Sequence, residues 1–391
     1  MTACPWEGEL TAAIAQRKEA GQYRFQRVRE SAQGVHIVLD GKPGLSFCSN
    51  DYLGLADNPI VKQALMDAVQ AVGVGAGAAH LLTGHSRYHQ QLEAALADFT
   101  GQARVLLFSS GYQANMGVIA ALLTDGDAVI QDKLNHASLL DGARLSGARL
   151  LRYPHRDMTR LHQRLHNAAN YRHKLIVTDG VFSMDGDIAP LPEIMAQAKQ
   201  HHAAILVDEA HAFGVLGATG RGSCEYWQID SDERPIIVGT FGKALGTAGA
   251  FVAADDTIIE TLIQQARTYI YTTAQPACLA AATLASLVLM QQESWRREKL
   301  QALISRFRQG AEALGLNVMP SITPIQPVII GEAQRAVELG QSLEDKGIFV
   351  GVVRPPTVPR GTARLRITFS ANHDEQDVDR LLDVLEQSHA Y

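Results

Sequence analysis

Cysteine is scarce. Only Cys4, Cys48, Cys224 and Cys278 occur in 391 residues, and no two form a C-x-x-C pair. That removes the usual zinc spacing and a disulfide framework, and it points to a reducing compartment; no metal site is expected. A basic excess is missing too. The formal charge is −6, whereas a surface that holds phosphate backbones needs clustered lysine and arginine, so nucleic acid is not expected as a partner. No uncharged apolar run reaches the ~18 residues that read as a membrane span. The opening segment MTACPWEGEL carries no apolar stretch of the kind found in secretory leaders. A cytoplasmic protein without a membrane anchor is expected. Repeats and low-complexity segments are not found. With 46% hydrophobic and 19% charged residues, the chain fits a folded globular protein rather than a disordered one.

Residues 7–30 read as an amphipathic, charge-rich helix. The segment HIVLDGKPGLSFCSNDYLGLA follows, with turn signals at DGKPG. Residues 59–72 look helical, GVGAGAAHLLTGHS reads as a loop, and YHQQLEAALADFTG is a helix closed by Gly101. From RVLLFSSG onward, short apolar runs (DAVIQD, ARLLRY, KLIVTDG, AAILVDEAH, PIIVGTFG, GAFVAAD) alternate with helical patterns. Such alternation predicts an α/β fold with a mostly parallel sheet covered on both faces. Ligands of such sheets bind beyond the carboxyl ends of the strands. After residue 275 one long helix over 275–314 is expected, then PIQPVIIG, GIFVGVV, ARLRITFS and a final helix, an α+β arrangement. Three parts follow: an N-terminal helix and short strand segment (1–50), a large domain (51–275) and a small C-terminal α+β domain (276–391).

Four stretches carry candidate chemistry. VDEAH ends an apolar strand, which puts Asp208 and His211 at a strand terminus; the plainer reading is a carboxylate satisfied by backbone amides. A helicase reading of DEAH needs a phosphate loop G-x-x-x-x-G-K-[ST]. GTFGKA has the wrong spacing and an alanine after the lysine, so the NTPase reading fails. GVGAGA matches a dinucleotide fingerprint only formally, because it follows a helical pattern instead of a strand. SSGYQAN opens a helix after RVLLF and offers free backbone N–H groups to an anion, while Ser110 also suits a plain N-cap. A lone histidine such as His136, His85, His89 or His155 is by default structural. The lysine of VGTFGKALG, Lys243, lies among glycines that would let backbone approach a ligand. An anion-binding turn, a strand-end acid and a lysine in a tight loop together suit pyridoxal phosphate, which needs a phosphate cradle, an acid on its ring nitrogen and a lysine for its aldehyde. Burial makes such a lysine a neutral nucleophile.

SNDYLGLA, GHSRYHQQLE, GVFSMDGDIAPL, VDEAHAFGVLGATGRG and TFGKALGTAGA resemble the α-oxoamine synthases, and the resemblance runs from about residue 10 to 388. It implies a fold-type I pyridoxal-phosphate transferase with a seven-stranded, mostly parallel sheet in its large domain. It implies that Lys243 bonds the cofactor aldehyde, Asp208 holds the pyridine nitrogen protonated, and His211 bonds the phenolic oxygen. His136 stacks on the ring and serves as a candidate acid. Gly111, Tyr112 and Thr240 serve the phosphate side, and Ser183 also touches the cofactor. Arg366 is implied to bind an amino-acid carboxylate, Arg24 and Thr357 an acyl substrate, and Asn50 lies nearby. Thr272 and Thr273 are implied to reach the phosphate held by a partner subunit, in a homodimer with sites at its interface. RPPTVPRGTARLRIT resembles the members that condense L-alanine with a pimeloyl thioester, on coenzyme A or acyl carrier protein, with loss of CO2; the alternative is the sister reaction of glycine with acetyl-CoA. One departure is Asp179, where the family often has glutamate.

Overall fold

The computed structural model describes residues 4–20, 22–229, 233 and 235–389. Among them run β1 (His36–Leu39), β2 (Lys42–Phe47), β3 (Arg104–Phe108), β4 (Ala128–Asp132), β5 (Arg149–Tyr153), β6 (Lys174–Asp179), β7 (Ala204–Asp208), β8 (Ile236–Thr240), β9 (Ala250–Ala254), β10 (Ile325–Gly331), β11 (Ile348–Val353) and β12 (Ala363–Thr368). Seven of these form one sheet in the order β3-β9-β8-β7-β6-β4-β5. Within it only β9 runs against its neighbours; β8, β7, β6, β4 and β5 are parallel in sequence of contact. β4 and β9 are buried along their whole length. That is why β9 reads as a continuous apolar run, and β4 does so up to Gln131, rather than alternating. Each such buried Val, Ile or Leu contributes roughly 1.5–3 kcal/mol over leaving it in water.

Helices between the strands start where polar side chains satisfy the free first-turn amides. Asn58 accepts from Ile60 N–H ahead of Pro59–Val72, Ser110 from Gln113 N–H ahead of Gly111–Leu122, and Asp157 from Arg160 N–H ahead of Met158–Asn167. Each such cap is worth about 1 kcal/mol. Arg87–Thr100 ends at Gly101 with φ 66°, as the sequence suggested. No helix among the described residues is long and apolar enough to cross a membrane.

The smaller sheet, β1-β2-β11-β12-β10, joins distant parts of the chain. β2 lies parallel to β11, with Leu45 opposite Ile348 and Phe47 opposite Val350. Two helix expectations are corrected. The first helix spans Glu7–Glu19, not 7–30, and none of its residues is buried. The following backbone bonds to the first hairpin instead: Asp40 N–H donates to Val28 C=O at 2.8 Å and Glu30 N–H to Val38 C=O at 2.9 Å. The expected helix over 275–314 is two, Ala277–Gln292 and Trp295–Ala313. The first half is apolar and packs on Pro59–Val72 and Arg87–Thr100; the second is charged and packs on Glu375–His389. Different partners force a bend at Glu293, and buried Arg297 donates to the Met290 carbonyl at 2.9 Å, satisfying an end that the bend exposes.

Candidate active site

Five strand ends of the large sheet meet at one cavity. β3 leads into Gly111 and Tyr112, β4 into His136, β6 ends at Asp179 before Ser183, β7 ends at Asp208 before His211, and β8 ends at Thr240 before Lys243. A cavity of about 190 Å³ is lined by all eight: Gly111, Tyr112, His136, Ser183, Asp208, His211, Thr240 and Lys243. Asn115, Ser138, Asp179 and Ala210 complete the lining. Larger hollows lie elsewhere, about 470 Å³ beside His80 and Glu93 and about 740 Å³ beside Tyr23 and Arg354, but neither unites a strand-end acid with a lysine.

The acid is well held. Asp208 is buried; its Oδ1 accepts from Ala210 N–H at 2.9 Å and its Oδ2 from the Asn115 amide at 2.6 Å. The plainer reading of this strand-end carboxylate is therefore half of the account. Asn115 also donates to Ser138 Oγ at 2.9 Å, and Ser138 Oγ meets His136 Nδ1 at 2.7 Å. Ser138 N–H points to the same Nδ1 at 3.3 Å, so in the neutral ring the proton sits on Nε2. Burial lowers the His136 pKa, with Asp208 opposing and Lys243 adding to the shift, which favours that neutral ring.

Lys243 Nζ lies 2.9 Å from His211 Nε2, and His211 Nδ1 lies 2.6 Å from the Tyr52 hydroxyl. Tyr52 in turn bonds Asn50 Oδ1 at 3.0 Å, and Arg366 donates to the same oxygen at 3.2 Å. Arginine can only donate, so that Asn50 atom is the carbonyl oxygen and the Tyr52 proton goes to it. His211 Nδ1–H then donates to Tyr52, leaving Nε2 to accept from Lys243. Burial, then the charges of Lys243 and Arg366, hold His211 well below its ordinary pKa and keep it neutral. For Lys243 burial is the largest influence and lowers the amine; Asp208 is the chief opposing charge, and the balance lies at about 8.

Two of the three glycines of VGTFGKALG, Gly239 and Gly246, are required by neighbouring protein atoms, which corrects the sequence expectation for those two. A Cβ on Gly246 would collide with the backbone nitrogen of Ala56, and φ there is 63°. A Cβ on Gly239 would run into the Phe251 ring. The Lys243 turn is thus pressed between SNDYLGLA and β9. Thr240 Oγ1 donates to Gly249 C=O at 3.0 Å, so it faces the cavity with lone pairs unless it rotates.

Arg366, on β12, reaches across from the small sheet and donates to Ser183 C=O at 2.6 Å. Arg24 and Thr357 are exposed and line no part of the cavity, and neither do half-buried Thr272 and exposed Thr273. His155, Asp185 and Asp187 bring donor atoms within 4.8 Å of one another. Both ring nitrogens of His155 are taken, by Asp132 at 3.1 Å and Asp187 at 2.8 Å. Burial lowers that ring's pKa, but these carboxylates outweigh it and hold the ring at about 9, protonated and structural. Tyr52, Asn115 and Ser138 escaped the sequence reading. Asn115 had a signal, since it lies four residues after Gly111 on the helix that SSGYQAN opens and so shares its face.

The class of protein is now plain. The family model "Aminotransferase class I and II" matches residues 42–385, and the chain belongs to that family. It is 57% identical over 374 residues, 96% of this chain and 99% of the relative, to the 8-amino-7-oxononanoate synthase of Nitrosococcus oceani. Among solved structures it is similar to one of SPT with PLP, at TM-score 0.93 and 32% identity, covering 98% of this chain and 97% of that one. It is likewise similar to 8-amino-7-oxononanoate synthase from Francisella tularensis, at TM-score 0.77 and 32% identity, covering 89% and 98%. Pyridoxal phosphate is the cofactor of this family of enzymes and of this chain. The cavity fits it on its own evidence: a helix N-terminus, a held carboxylate and a lysine of lowered pKa converge on one volume. The Asn115 carbonyl oxygen, buried there without a partner, marks the site as polar.

Proposed function

We propose that the chain condenses L-alanine with a pimeloyl thioester to give 8-amino-7-oxononanoate, CO2 and the free thiol carrier, a step of biotin biosynthesis, in the cytoplasm. The observation that carries this reading is the convergence of Asp208, Lys243 and His136 at one cavity, in a chain with 57% identity to a synthase of that name. When bound, pyridoxal phosphate supplies an aldehyde that holds the amino group and a ring that withdraws electrons from the neighbouring carbon.

The residues do the rest. N–H groups of Gly111 and Tyr112 at the helix start hold the phosphate. Asp208, fixed by Asn115 and Ala210, keeps a proton on the ring nitrogen because a carboxylate favours a nearby positive charge. With its pKa lowered to about 8, Lys243 would be about one-tenth neutral at pH 7, the form that could act as nucleophile toward the aldehyde and as base toward the α-proton of alanine. His211 and Tyr52 orient that amine. Arg366 holds the alanine carboxylate, since its guanidinium fork matches two oxygens. His136, with its proton on Nε2, donates to the carbonyl formed in the condensation. Ser183 touches the cofactor, and Arg24, Thr357 and Asn50 serve the acyl chain. A second copy supplies Thr272 and Thr273 to the phosphate, which accounts for their place away from the cavity of their own chain.

Product analysis tests this. Purified enzyme is given L-alanine with pimeloyl-CoA or pimeloyl-acyl carrier protein, and separately glycine with acetyl-CoA. The expected product is 8-amino-7-oxononanoate from the first pair only; turnover confined to glycine and acetyl-CoA would overturn the reading.

A further inference from the structure

β6 and β7 are parallel neighbours, and Asp179 is paired in register with Asp208. Residues paired this way present their side chains on the same face of a sheet, with the strands about 4.8 Å apart. Both carboxyl groups line the one cavity, and both are buried. Two carboxylates this close in a buried site cannot both ionise. Their partners differ. Asp208 accepts on each oxygen, from Asn115 and from Ala210 N–H. Asp179 accepts at Oδ2 from the backbone N–H of His136, at 2.9 Å.

We propose that Asp179 holds the shared proton, standing as a neutral carboxylic acid beside Lys243 while Asp208 alone carries the negative charge of the pair. The consequence is for the lysine. A second anion in the cavity would stabilise the ammonium and take away the free amine; a neutral Asp179 keeps the site's charge at one anion. Asp179 is then a positioning residue twice over, through its acceptance from His136 N–H and through its proton. The groups facing it are Asp208 on β7, Lys243 after β8, His136 after β4 and Asp132 at the end of β4. Burial, then Asp208, raises its pKa well above the usual carboxylate range, against the opposing His136 N–H and Lys243, in keeping with that geometry.

The inference rests on the reading of Lys243 as the reactive amine, but its test needs neither amino acid nor thioester, so the two fail separately. The full chain labelled with carboxyl-13C aspartate, stripped of cofactor, is compared with Asp179→Asn and Asp208→Asn at pH 7. One protonated carboxyl signal is expected in the wild type, absent from Asp179→Asn. Its absence from the wild type, or its survival in Asp179→Asn, would overturn the proposal. The pH dependence of pyridoxal phosphate capture gives the second readout. The amide side chain is neutral like the acid it replaces, so Asp179→Asn leaves the midpoint of Lys243 unchanged. A fall of about 1–3 pH units, the effect of losing a close anion, would show that Asp179 had been ionised. Should Asp179→Asn not fold, the wild-type titration decides alone: a single aspartate ionising above pH 7 supports the proposal, and none contradicts it.

Discussion

In the core of the candidate site, strand ends of a single sheet deliver Gly111, His136, Asp208 and Lys243 to a cavity of about 190 Å³. By contrast, the residues expected to meet the acyl chain and the phosphate, Arg24, Thr357, Thr272 and Thr273, stand outside that cavity, on segments beyond the strands of the large sheet. The first region is set by parallel strand order, which the chain imposes on itself. The second depends on where exposed segments come to rest. The groups proposed to act on the cofactor ring and aldehyde thus lie at strand ends within one chain, whereas those proposed for the acyl chain and for the phosphate of a second copy lie on segments the large sheet does not hold. Arg366 is the bridge: it belongs to the small sheet yet bonds Ser183 and Asn50 at the edge of the cavity.

The sharpest way to break this contrast is at the lysine. Lys243→Ala is expected to abolish turnover and the visible absorbance of the bonded cofactor, read by spectrum and by product assay; an active, yellow variant would remove Lys243 from its role. Asp208→Asn comes next, with turnover down about 100-fold or more because a neutral amide does not hold the ring proton, while circular dichroism stays native. Arg366→Ala should raise the KM for alanine about 10–100-fold, the worth of a charged hydrogen-bonded pair, with a smaller effect on the thioester. The pH dependence sharpens the same region. The neutral amine is the reactive form, so capture of pyridoxal phosphate by the cofactor-free enzyme should fall tenfold per pH unit below about 8 and level off above it. Smallest is Arg24→Ala, an exposed cation, expected to raise the KM for the acyl donor about fivefold and leave that for alanine alone. An effect of Arg24→Ala as large as that of Arg366→Ala would erase the contrast between the two regions.

The same contrast governs what could be read in advance. β4, β6, β7 and β8 were legible because strands buried on both faces are continuously apolar, and the groups at their ends followed from sheet geometry. Ser110 and Gly101 declared helix ends through local chemistry. The pairing of β2 with β11 was not legible, because nothing local in KPGLSF names a partner some three hundred residues on in the chain. The break at Glu293 depends on what each half of the helix packs against. Tyr52 and Asn115 look like ordinary motif residues until the fold brings them to His211 and Asp208. The Lys243 turn taught the converse: its glycines suggested a ligand, yet Gly246 and Gly239 are set by Ala56 and Phe251.

Lys243, at the end of β8, is the residue proposed to bond the cofactor aldehyde. Borohydride reduction of the cofactor-loaded enzyme, followed by proteolysis and peptide mapping, tests this directly. The phosphopyridoxyl group is expected on the peptide carrying TFGKALG, at Lys243. A stable adduct on any other lysine, or none with the enzyme still active, would contradict it.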